Sequence, residues 1–269
     1  MKKLISIFVF IMAVLSGCEN QNNATEMITE ELNTTEAQKT VELSKADIGD
    51  IVQMGTYEQD GDPETEDPIC WDVLDKDGDA VLLISHDVIA YQRFSDSAKC
   101  VIWEDSQIRS WLNQAFYAEA FDETEQASIR ETTLENPSTV EFAAHIRPAV
   151  EVQIRESRPD TKDKIFMLSW KEAEQYYGKG LRNESVLGRR PSSAVLQKRK
   201  TLFTELLIGK FSDSSSNTLS LVDGTERLSW MLRSTGYDGI NCILVIGYDG
   251  KRSQDKAASY NGVRPAMWV

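Results

Sequence analysis

The chain has 269 residues, 41% of them apolar, with six tryptophans spread along it. That is enough apolar surface for a sizeable core, so it excludes a globally disordered chain. The formal net charge of −14, with an isoelectric point near 4.7, repels phosphate backbones and argues against nucleic acid as a partner.

The first eighteen residues, MKKLISIFVFIMAVLSGC, have three parts. Lys2 and Lys3 give a positive start. Leu4 to Leu15 is apolar apart from Ser6, and Ser16-Gly17-Cys18 closes the segment. This is the outline of a secretory signal. The run is too short to span a bilayer comfortably, which takes a helix of about 20 residues. The small residues before Cys18 resemble the lipobox of bacterial lipoproteins. The resemblance implies that residues 1–17 are a lipoprotein signal peptide, cut before Cys18, whose thiol then carries a diacylglycerol. The partner would be the cell membrane, held from its extracytoplasmic face, because two acyl chains hold where one is marginal. An ordinary secreted protein with a chance cysteine is the alternative. Residues 18–46 are rich in Asn, Thr and Glu and lack aromatics, so they read as a flexible tether. Residues 47–269 then form a single α+β domain.

Along that domain, IVQMGTY (51–57) reads as a strand. ICWDVLD and AVLLISHDVIA flank Lys76-Asp77-Gly78-Asp79 and predict a β-hairpin. Ile108, Trp111, Leu112, Ala115 and Phe116 recur at helical spacing, with Asp105 or Ser106 as cap. A short helix near Asp122 has Glu125 to complete a capping box. Residues 136–163 read as an irregular excursion with a short strand. DKIFMLS (163–169) reads as a strand, leading into a helix with Ser169 and Glu172 as capping box and Gly178 as stop signal. Residues 146–210 carry 14 Lys and Arg against 8 Asp and Glu, so this net of +6 leaves −20 for the remainder. Such a sector is either a contact surface or a solvated face. Leu202, Phe203, Leu206 and Leu207 predict one more helix. CILVIGY is a strand turned by Asp249-Gly250, and a polar loop follows to Asn261-Gly262.

The last residues, NGVRPAMWV, are apolar up to the carboxylate. A terminal tryptophan and valine are costly unless buried, and pairing in a sheet is the simplest way to hold them. Pro265 cannot donate to a ladder, which places it at an edge or a strand start. The expected neighbour of this closing strand is IVQMGTY, so that the first and last strands of the domain pair.

The series GDIVQMGTYEQD, PICWDVLD, WEDSQIRSWLNQAFYAEAF, DKIFMLSWKEA, WMLRSTG and GVRPAMWV resembles bacterial domain of unknown function 6273, over about residues 48–269. The order also looks like that of C-type-lectin-like folds, including formylglycine-generating enzymes. That likeness implies antiparallel strands with paired termini, helices packed at the sides and long loops that present a ligand site. Three features depart from the pattern: Cys70 before Trp71, the basic stretch 179–200, and Ser234-Thr235-Gly236 where the family more often has Ser-Pro-Gly.

Arg233 and Arg264 each lie in an apolar stretch beside a tryptophan. A buried guanidinium must be paired, so both read as structural ties, as does Trp268; facing an anionic ligand is the alternative. Cys70 and Cys100 flank strand-like segments and are the pair that a disulfide would join, while three buried, reduced cysteines including Cys242 are the other reading. Only His86 and His145 are available, and no zinc spacing, GxSxG, Walker-A or GxGxxG motif occurs. The carboxylates of 60–67 and 75–79 are hard ligands that suit Ca²⁺, but EF-hand spacing is absent and a hairpin turn explains the second cluster. No other cofactor is indicated, and no catalytic residue stands out. The late loops hold the candidate ligand-binding residues Tyr237, Asp249, Lys251, Arg252, Tyr260 and Asn261. Aromatic and amide groups suit glycan or protein recognition. The expectation is therefore a lipid-anchored surface protein with a non-catalytic binding domain for a glycan or an envelope protein. A cell-envelope enzyme and a structural envelope component are the rivals.

Overall fold

In the computed structural model, residues 40–59, 62, 64–96, 101–136, 159–178, 220–222, 225–235 and 242–269 are described. Thr40 to Val269 forms a single compact unit. It opens with strand β1 (Ile51–Tyr57), which pairs antiparallel with β2 (Asp67–Asp77). Gly78, at a φ of +59°, and Asp79 turn β2 onto β3 (Ala80–Ser85), as the Asp-Gly signal predicts. On β2, Ile69, Trp71 and Val73 are buried while Cys70, Asp72 and Leu74 are half-buried. Every residue of β3 is buried, which marks it as a central strand. Strand β4 (Ala90–Arg93) follows.

The Ser106 hydroxyl caps the next helix by accepting from the Arg109 amide at 3.3 Å. Helix α1 (Gln107–Trp111) runs through a π turn (Leu112–Phe116) into α2 (Tyr117–Ala120). Ile108, Leu112, Phe116 and Ala120 are buried. The wider turn sets the apolar repeat at four residues, and Ala115, expected on the stripe, is exposed. This helix packs so closely on β1 that a Cβ at Gly55 would lie 2.5 Å from the Ala120 carbonyl. Helix α3 (Glu123–Ser128) starts with the expected box of Asp122 and Glu125, and the Glu125 carboxylate also accepts from the Gly55 amide at 2.7 Å.

Strands β5 (Thr132–Leu134) and β6 (Thr161–Asp163) pair with each other. The strand expected over 163–169 does not form beyond Asp163, apart from a single bridge between Phe166 and Ala266. The reason is Asn113. Its side-chain oxygen accepts from the Lys164 and Ile165 amides (2.9 and 3.1 Å), and its amide donates to the Ile165 carbonyl (2.8 Å). A side chain thus takes the place of a ladder partner. Helix α4 (Trp170–Tyr177) carries the expected Ser169–Glu172 box and ends at Gly178. The helix predicted near Leu202 lies outside the described residues.

Strands β7 (Ser220–Val222) and β8 (Thr225–Arg227) form a small hairpin. The chain finishes with β9 (Trp230–Thr235), β10 (Cys242–Ile246), β11 (Arg252–Lys256), β12 (Tyr260–Val263) and β13 (Ala266–Trp268). The polar loop expected after Asp249-Gly250 is instead largely strand, because that turn returns β11 onto β10 in register. The result is a five-stranded sheet ordered β11-β10-β9-β12-β4 and a four-stranded sheet ordered β1-β2-β3-β13. Apart from the β12–β9 contact, their ladders are antiparallel, and with the packed helices this is an α+β fold.

The expected pairing of first and last strands does not occur. β1 and β13 lie at opposite edges of the four-stranded sheet, and β13 pairs with β3. The β2–β3 hairpin leaves the far edge of β3 open, and the closing strand fills it. Val269 exchanges both backbone hydrogen bonds with Val81 at 3.0 Å. Pro265 stands before this edge strand, as a residue without an amide hydrogen must. Beyond β1, Val41 bridges Val52, and Ala46 is fully buried. The end of the expected tether is therefore part of the fold.

Arg233 is buried and paired, as a structural tie would be. Its guanidinium is 3% exposed and grips both carboxylate oxygens of Glu172, the Met167 carbonyl (2.8 Å) and the Glu135 carbonyl (3.2 Å). Glu172 in turn caps α4 through the Ser169 amide at 2.7 Å. Arg233→Met strands this carboxylate and is expected to cost about 3 kcal/mol. Chemical denaturation reads this directly, and a loss below about 1 kcal/mol would contradict the assignment.

Candidate functional site

A groove opens where β4, β12 and the start of α1 meet. It encloses about 240 Å³ and is lined by Gln92, Arg93, Asp96, Gln107, Ile108, Trp111 and Tyr260. The antiparallel register of β4 and β12 sets Tyr260 directly opposite Arg93. The guanidinium lies over the Tyr260 ring at 4.6 Å, and Tyr260 stacks on Tyr91 at 5.6 Å. The Ile108 amide donates to the Phe94 carbonyl at 3.2 Å and ties the helix start to this strand.

The charges in the groove are paired. Arg93 donates to Asp96 at 3.0 Å. Gln107 donates to the other Asp96 oxygen at 3.1 Å and accepts from the Asp96 amide at 2.5 Å. The hydrogen bond from Arg93, with that from Gln107, holds the Asp96 carboxyl below the usual carboxylate range.

Among the described residues expected to bind ligand, Tyr260 alone lines this groove. Asn261 is fully buried and donates to Asp255 at 3.3 Å, so it shapes the preceding turn. It reads as a loop residue but sits inside β12, where alternation points it inward. The Arg252 guanidinium lies over the Trp170 ring at 5.0 Å. Asp249 and Lys251 pair with each other at 2.8 Å on the β10–β11 turn. Tyr237, Cys18, Cys100 and His145 lie outside the described residues. Gln92, Arg93, Asp96, Gln107 and Trp111 were missed in sequence. The only local signal was the polar pair Gln92-Arg93 between Tyr91 and Phe94, and nothing in it points to Tyr260.

A second polar cluster surrounds Asp72. It accepts from Arg264 at 3.1 Å and lies 2.5 Å from His86 Nδ1. Cys70 stands as a free thiol, and Gln53 donates to its sulfur at 3.8 Å; Cys100, its candidate partner, lies outside the described residues. The pairing of β1 with β2 sets Gln53 opposite Cys70 and occupies the thiol within the sheet. Burial pushes the Cys70 pKa up, and Asp87 and Asp72 add to this against the Gln53 hydrogen bond. A thiol so placed is a poor nucleophile. Among the described residues, no group of three or more His, Cys, Asp or Glu side chains is arranged to hold a metal ion. None of their helices is long and apolar enough to cross a membrane.

The family model for a domain of unknown function, DUF6273, matches residues 78–269. The chain belongs to the DUF6273 family. No curated protein and no solved structure matches it. The matched span of this DUF6273 chain holds the described lining of the groove, and both Arg233 and Arg264. Gly262, one of the residues that carried the resemblance, has a packing reason: a Cβ there would lie 2.6 Å from the Ser229 carbonyl and 2.8 Å from Val88.

Because its pKa is lowered by folding, Asp96 supports the folded groove above the ordinary carboxylate value and loses that support as pH falls through its lowered value. An NMR titration is expected to put its midpoint below the model-peptide value of about 3.9. Arg93→Gln is expected to raise that midpoint. An unchanged midpoint would mean the Arg93–Asp96 contact carries no weight in solution.

Proposed function

We propose that this DUF6273 protein is a lipid-anchored protein of the bacterial cell surface whose domain binds a glycan or an envelope protein without catalysis. The groove between Trp111 and Tyr260 carries the binding reading. It combines half-buried aromatics, carboxamides and a compensated ion pair, the mix that gives apolar contact and hydrogen-bond specificity together. The charged start, apolar run and small residues before Cys18 support the anchor. We read the fold as C-type-lectin-like; in support, the closing strand returns to pair with an early one.

Two experiments test this. Full-length protein is expected to incorporate a fatty-acid label and sediment with membranes, and Cys18→Ser to do neither. Labelling of the serine variant would remove the anchor from the proposal. Detergent-solubilised protein is expected to be retained by a cell-wall glycan or an envelope protein. Trp111→Ala and Tyr260→Ala are expected to weaken retention about tenfold or more. Retention that ignores both variants would move the site elsewhere, and turnover of the retained ligand would favour the envelope-enzyme reading.

A further inference from the structure

The groove's chemistry narrows its ligand. Arg93, its cation, is already matched by Asp96, and Asp96 is held ionised by Arg93 and Gln107. The described lining residues therefore carry no net charge, one cation against one anion. The chain around it has a formal charge of −14, a field that repels acidic polymers. An anionic ligand would have to displace Asp96 from Arg93 while approaching against that field. A cationic ligand would have to displace Arg93. Neutral groups meet neither cost.

Two of the polar side chains that line the groove, Gln92 and Trp111, make no hydrogen bond among the described residues. The Gln107 carboxamide, by contrast, is held by Asp96 at both ends. Gln92 offers a donor and an acceptor side by side, which suits a pair of vicinal hydroxyls. Trp111 is half-buried and packs against Phe116 at 5.3 Å, so the ring is supported on the protein side while part of it stays open. A supported indole presents an apolar face with negative quadrupole, which suits the C–H face of a sugar ring. The volume of about 240 Å³ lies below the range of roughly 300–1,000 Å³ typical of clefts for drug-sized ligands. One ring fits it.

We infer that the groove takes one pyranose ring of a neutral saccharide, packed on Trp111 and hydrogen-bonded by Gln92, with Arg93–Asp96 acting as a neutral wall. This rests on the reading of the groove as the binding site.

The test uses full-length protein in detergent and three probe classes: neutral oligosaccharides (β-1,4-linked glucose and N-acetylglucosamine oligomers), polygalacturonate as acidic polymer, and a mixed peptide library. A neutral oligosaccharide is expected to bind and to shift tryptophan emission, with affinity changing less than about twofold between 50 and 500 mM salt, since no ion pair forms. Trp111→Ala is expected to abolish the spectral response. Gln92→Ala, which removes a side chain with no structural bond, is expected to weaken binding about five- to tenfold. Circular dichroism confirms that each variant folds, and the Gln92 variant decides if the Trp111 variant does not. Binding of polygalacturonate or of peptides in place of neutral sugar, lost in Gln92→Ala, would overturn the saccharide assignment while leaving the groove as the site. Neutral sugar binding untouched by either variant, or no binding by any probe, would overturn both.

Discussion

Arg264 joins the two sheets into one frame. Its guanidinium is fully buried. It donates to the Ser85 carbonyl at 2.8 Å and to Asp72 at 3.1 Å, and lies over the Trp230 ring at 4.8 Å. Each of these partners belongs to a different strand: β3, β2 and β9. Arg264 itself stands at the bend where the chain leaves β12 in the five-stranded sheet for β13 in the four-stranded one. The β3–β4 segment bends between the same two sheets alongside it. Ser85 bonds to the Pro265 carbonyl at 2.9 Å and Ile89 to that of Val263 at 3.2 Å, so the ladder continues across the bend. One nitrogen, Arg264 Nη1, is buried without a hydrogen-bond partner among the described residues. The Trp230 ring offsets part of that cost through its quadrupole.

That junction is what places the groove. Because β3 and β13 pair on one side of the bend, β4 and β12 must pair on the other, in a register without slack. Tyr260 then falls opposite Arg93, and Gly262 opposite Tyr91. Gly262 lets β12 lie against Ser229 and Val88, where any side chain would force it away. The aromatic and the cation that shape the groove thus meet because of a bend several residues away. The two buried arginines divide the work: Arg264 fixes the sheets, and Arg233 fixes α4 and the 135–136 segment to β9.

What could be read from sequence was what local chemistry decides. The caps at Ser106, Asp122 and Ser169 bond within three residues of themselves, and each stands where its pattern placed it. The limits of β1 and the turn at Gly78 likewise follow from short apolar runs and one glycine. The partner of the last strand was not legible, because two open edges accept an apolar strand equally well until the rest of the sheet is built. The segment 163–169 has strand composition, yet its backbone is satisfied by Asn113, far away in the chain. The groove shares this difficulty. Tyr260 was visible as a polar aromatic near the end of the chain, but the residues that make it a site come from β4 and α1.

The placement of those residues bears on how the groove can work. Ligand sites were expected on long loops, where ordering costs entropy at the moment of binding. Here Arg93 and Tyr260 stand on paired strands, Gln107 and Trp111 on a capped helix, and Asp96 is pinned between them by three hydrogen bonds. Such a site is organised before a ligand arrives, so little ordering offsets the few contacts that so small a groove allows. It also has few ways to adapt. A rigid pocket discriminates by shape, and the shape here is set by the same ladder that Arg264 holds in register.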